Sequence, residues 1–185
     1  MLRSAALALV LATSAQADEI CNDLWFAKNG IYDAAGYCFG SPLGRSLYDN
    51  EGCTTSNPEL TTADRRKVNQ IEQREVDLGC EIDMSVTEFD LPALSFRQDL
   101  RVQPVRSQVE SACIGWRGPT IEVFAAPSPE VPLGSIEGGD DILFSHEPQD
   151  DWYYVTVWSS GFGEVKSAGW IPFLGDAPLC TDAAG

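Results

Sequence analysis

Histidine is almost absent from this chain of 185 residues: His146 is the only one. Zinc wants Cys and His ligands at short spacing, and the six cysteines stand far apart, so no metal ligands are assigned. Bases are scarce too, with 12 lysines and arginines against 28 acids and a formal charge of −16. Such a chain repels phosphate backbones and anionic headgroups, which excludes nucleic acid and membrane surfaces as partners. After the first residues no run stays apolar for about 18 residues, so membrane insertion is excluded. A serine or cysteine nucleophile elbow is also missing, and neither a catalytic residue nor a cofactor is assigned.

What is present begins with a leader. Residues 1–17 read as a secretory signal peptide: Arg3 is the charged region, Ala5 to Ala12 the apolar run, and Ala15-Gln16-Ala17 the small-x-small cleavage site. The residues before Cys21 are Asp18, Glu19 and Ile20, which do not form a lipobox. A periplasmic or secreted protein is expected, and in that oxidising compartment six cysteines make three disulfides. Sequence leaves several pairings open. Cys21 with Cys80, Cys38 with Cys53 and Cys113 with Cys180 is preferred, because each pair then closes one unit.

Residues 18–80 read as a helical unit. Asp23 can cap a helix from Leu24 to Ala35, and Gly36 can take the left-handed turn that ends it. Ser41-Pro42 starts a short second turn. Thr61, with Asp64 three residues on and Leu60 as a staple, starts a third helix that Gly79 ends. Residues 81–112 read as a connector in which Leu94 to Arg97 alternates as a short strand could. Residues 113–185 turn to β texture: Thr120–Phe124, Leu133–Ile136, Ile142–Phe144, Trp152–Trp158 and Gly169–Phe173 are strands, separated by Gly and Pro turns. The fold class expected is α+β, a small disulfide-stapled helical unit followed by a small antiparallel β-barrel.

The run Leu24-Trp25-Phe26-Ala27-Lys28-Asn29, the pentad Tyr32-Asp33-Ala34-Ala35-Gly36 and the aromatic turn Tyr37-Cys38-Phe39 resemble the YARHG domain, a small bacterial extracytoplasmic domain. Its arginine and histidine are replaced here by Ala34 and Ala35. The order Ala126-Pro127-Ser128, Gly134, Gly138, Trp152-Tyr153-x-Val155 and Gly169-Trp170-Ile171 resembles the bacterial SH3-like domain. Cys113 to Pro119 is similar to a domain of unknown function that accompanies YARHG in exported bacterial proteins. The resemblance implies an architecture and no activity.

The acid pairs Asp140-Asp141 and Asp150-Asp151 lack the alternation of a calcium loop and read as turn and solubility residues. His146, between two strands, reads as a solvent-exposed loop residue. The ligand-binding candidates are Trp152, Tyr154, Trp158 and Trp170. On a strand the first three share one face, with Tyr153, Val155 and Val157 on the other. The expected function is a non-enzymatic binding or interaction module of the bacterial cell envelope, meeting peptidoglycan or another exported protein. An envelope hydrolase or its inhibitor, or a purely structural accessory, are the alternatives.

Overall fold

Helices α1 (Thr13–Ala34), α2 (Pro42–Leu47) and α3 (Thr62–Leu78) come first in the chain, the last two started by capping side chains of their own segments. The computed structural model describes the backbone of residues 13–173 and 179–185, with side chains from Asp18 onward. Residues 1–12, the charged region and apolar run of the predicted leader, lie outside the described residues. The α1 helix starts well before Asp23, so Asp23 is an interior helical residue and not the expected cap. Its carboxylate is taken by partners distant in sequence, and the preceding Ala-Asp-Glu-Ile run carries the helix through. Gly36 does turn left-handed, at φ 83°.

The Thr61 hydroxyl accepts from the Asp64 N–H, and Gly79 closes α3 in the left-handed region at φ 66°. Ser41 caps α2 in the same way, accepting from the Gly44 N–H. Leu24, Ala27 and Ile31 recur at helical spacing and meet Val68 and Ile71 of α3. Each such aliphatic, fully buried, contributes about 1.5–3 kcal/mol. Trp25 and Phe26 point elsewhere and pack with Phe39, Leu43, Tyr48 and Leu91. Cys21–Cys80 ties α1 to the end of α3, and Cys38–Cys53 closes the loop around α2.

The segment Leu94–Gln98, expected as a strand, is a short helix, α4. Four alternating residues suit either state, and here the helix lays Phe96 against one face of the sheet. Among the described residues the sheet has seven antiparallel strands, β1 (Arg106–Trp116), β2 (Ile121–Ala126), β3 (Ser128–Ile136), β4 (Asp141–His146), β5 (Trp152–Trp158), β6 (Val165–Pro172) and β7 (Cys180–Ala184). Their order is β3-β2-β6-β5-β4-β1-β7. The sheet is therefore open, with β3 and β7 as its edges, where a closed barrel was expected. The β1 strand begins inside the segment read as a connector.

Strand alternation divides the side chains as the pleat requires. Val155 and Val157 join Trp116, Val123, Ile136, Ile142 and Ile171 in one core. Residues from six strands meet there, so the open sheet curls around it. Cys113–Cys180 joins β1 to β7 at its margin. Tyr154 and Trp152 face the other way, where Leu100, Val102 and Phe96 cover them. Gly169 lets β2 and β6 approach, since a Cβ there would lie 2.5 Å from the Phe124 carbonyl oxygen.

Candidate functional site

The helical unit meets the sheet at a buried cluster of charges. Asp23 comes from α1, Arg97 from α4, Arg106 from the first position of β1 and His146 from the last of β4. Asp23 Oδ1 accepts from Arg97 Nη1 at 3.0 Å, and Oδ2 accepts from His146 Nε2 at 2.9 Å. Arg106 Nη1 lies 3.7 Å from Asp23 Oδ2. Because Nε2–H donates to Asp23, Nδ1 is the acceptor for the Ser145 hydroxyl, at 3.0 Å. The Arg97 guanidinium is also held between rings, 5.3 Å from the centroid of Phe26 and 5.4 Å from that of Tyr154.

Electrostatics follow from this enclosure. Burial alone raises the Asp23 carboxyl, but Arg97, His146 and Arg106 outweigh it and hold the group well below the usual carboxylate range. His146 is shifted the other way from a surface imidazolium. Its burial, assisted by Arg97 and Arg106, prevails over the attraction of Asp23 and lowers its pKa, so the ring is neutral near pH 7. Tyr154 is pushed up to about 12 by burial. Burial opposes the charge on Arg97, and the Asp23 carboxylate restores it.

His146 is thus not the exposed loop residue that sequence suggested, since its side chain is 3% exposed. Its partner Asp23 stands 123 residues away, a separation no local pattern bridges. Arg97 and Arg106 were likewise not singled out. No local pattern marks them, since Arg97 stands among Ser95, Gln98 and Asp99 in a mixed stretch. A cavity of about 300 Å³ adjoins the cluster, with Arg97, Arg106, Glu110, Ser145, Tyr154 and Trp158 among its walls.

The four aromatic candidates do not share one open groove. Tyr154 and Trp170 are each 1% exposed, and Trp170 Nε1 donates to the Val102 carbonyl at 2.9 Å. Trp152 is half-buried, edge-on to Phe124. Trp158 is half-buried against Phe162, farther along the strand. The opposite face is more open. There Phe144, Tyr153 and Phe173, with Val109, line an apolar groove of about 440 Å³. Phe173 is 53% and Val109 77% exposed.

The acidic residues of the β3–β4 turn have structural partners. Asp140 accepts from Lys166 Nζ at 2.8 Å, and Asp141 accepts the backbone N–H groups of Gly115 and Phe162.

The family model described as Domain of unknown function (DUF4453) matches residues 79–185, and the model of the YARHG domain matches residues 1–76. No curated protein and no solved structure matches the chain.

Proposed function

We propose, for a chain that belongs to the family described as Domain of unknown function (DUF4453) and carries a YARHG domain ahead of it, a non-enzymatic binding role in the bacterial cell envelope. The observation that carries this reading is the apolar groove of Phe144, Tyr153, Phe173 and Val109 on the curled sheet. Exposed aromatic and aliphatic side chains in a concave surface suit the apolar faces of sugars and peptides. Curling of a small antiparallel sheet around one core supports the likeness to SH3-like barrels, although its edges are open. Three disulfides and the leader-like first residues support export, to the periplasm or beyond. Among the described residues no helix is long and apolar enough to cross a membrane. Peptidoglycan, or another exported protein, is the partner this reading gives.

The test is co-sedimentation of the purified chain with insoluble peptidoglycan sacculi, with folding checked by circular dichroism. Retention should be lost in Phe173→Ala and kept in Trp152→Ala, whose ring packs on the covered face. Equal retention of both variants, or none by the unaltered chain, would refute wall binding through the groove.

One observation favours the second reading, an envelope hydrolase. Asp23, His146 and Ser145 form a hydrogen-bonded relay in which the imidazole could take the serine proton. Ser145 is only 2% exposed, so substrate reaches it only if its cover opens, and the binding reading leads for that reason. Labelling of Ser145 by a fluorophosphonate, abolished in His146→Gln, would reverse that order.

A further inference from the structure

On the face opposite the groove, and independent of it, the walls of the charge-lined cavity carry buried donors that nothing satisfies. Among the described residues, Arg97 Nη2, Arg106 Nε, Tyr154 Oη and Trp158 Nε1 are buried without a hydrogen-bond partner. All four residues line the same cavity of about 300 Å³. Leaving so many donors unpaired is costly, and four of them on residues of one cavity ask for an acceptor-bearing guest.

The charge balance says which kind. Asp23 compensates one of the two guanidinium groups. The second, Arg106, is met by the Glu110 carboxylate, which reaches it from a bulge in β1. That bulge lies between the pairs Arg106↔His146 and Ser111↔Phe144 and brings Glu110 within reach of Arg106. Glu110 is 39% exposed and stands at the rim of the cavity. Glu19, 3.7 Å from Arg106 and 40% exposed, lies at the same rim and stays beside Arg106 when Glu110 leaves.

We infer that this cavity is a binding site for a small carboxylate, gripped by Arg106 and Arg97 and displacing Glu110, whose side chain holds the place when the site is free. A singly charged anion replaces the single charge of the Glu110 carboxylate that it displaces, whereas a doubly charged phosphate would exceed it. The volume suits a molecule of amino-acid size, at the small end of ligand pockets. The indole and phenol edges of Trp158 and Tyr154 contact the rest of it.

The experiment is a titration of the ¹⁵N-labelled, disulfide-bonded chain with sodium acetate, acetamide and sodium phosphate at matched ionic strength, followed at the Trp158 indole N–H. Acetate should shift that signal saturably. Glu110→Gln should bind acetate roughly threefold tighter or more, because the competing side chain is weakened. Adding Arg106→Met to Glu110→Gln should abolish the shift. Acetamide binding as tightly as acetate would overturn the charge assignment, and tighter phosphate binding would overturn the carboxylate class. An unmoved Trp158 signal in both the unaltered chain and Glu110→Gln, each folded, would overturn the site itself.

Discussion

Replacing Asp23 by asparagine keeps the shape of the interdomain cluster and removes its charge. The amide oxygen can still accept from Arg97, and the imidazole can change tautomer to accept from the amide nitrogen. The Arg97 guanidinium, 1% exposed, would then be a buried cation with only neutral acceptors, the new amide oxygen and Gln103 Oε1 at 3.4 Å among them. Breaking a buried pair from one side costs about 3–5 kcal/mol. That is a large share of the roughly 5–15 kcal/mol that holds a domain folded. Arg97→Met should cost less, since Asp23 keeps His146 at 2.9 Å and Arg106 at 3.7 Å. In the double variant neither charge is stranded, so its loss should fall short of the sum of the single losses by about 1–3 kcal/mol. Urea unfolding at pH 7 with disulfides intact reads all three. A loss below about 1 kcal/mol for Asp23→Asn, the range of exposed pairs, would refute the reasoning. So would additivity within about 0.5 kcal/mol.

Acid should weaken the fold in two stages. The folded His146 pKa lies below its ordinary 6.5, so the unfolded chain takes up a proton there that the folded chain refuses. Stability is then full above that pH and falls below it by up to about 1.4 kcal/mol per pH unit. Asp23, depressed well below an ordinary carboxyl, adds its own loss as the pH drops below about 5. Urea midpoints in His146→Gln should lack the first stage, and an unchanged profile would contradict the neutral buried imidazole. Cys38→Ser opens a loop of sequence separation 15 and should cost about 3 kcal/mol in the same assay, so unchanged stability would remove that disulfide from the account. Gly79→Ala strains a left-handed cap in open space and should cost about 1 kcal/mol. Gly169→Ala drives a methyl into the Phe124 carbonyl and should cost clearly more, so equal losses would contradict the close approach of β2 and β6.

Local signals were legible and distant ones were not. Thr61, Asp64 and Gly79 set the bounds of α3 through contacts a few residues long. The β5 strand could be read in full, Trp152 to Trp158, and its alternation put the valines and the aromatics on opposite faces. The cysteine pairing followed from which units needed closing. By contrast, Asp23 had the residue type of a cap, and its actual role depends on Arg97 and His146, which only tertiary folding brings near. The β1 strand was hidden because its polar bulge, Ser107 to Glu110, interrupts the apolar alternation that marks a strand. Tyr154 and Trp170 looked like groove residues because the segment that covers them, with Phe96, Leu100 and Val102, has no strong pattern of its own.

The claim that this chain binds envelope material through the groove is tested most directly by titrating the ¹⁵N-labelled chain with soluble muropeptides and mapping the amide shifts. The account predicts saturable shifts gathered at Phe144, Tyr153 and Phe173, weakened by Phe173→Ala. Shifts confined to other strands, or none at saturating muropeptide, would contradict it.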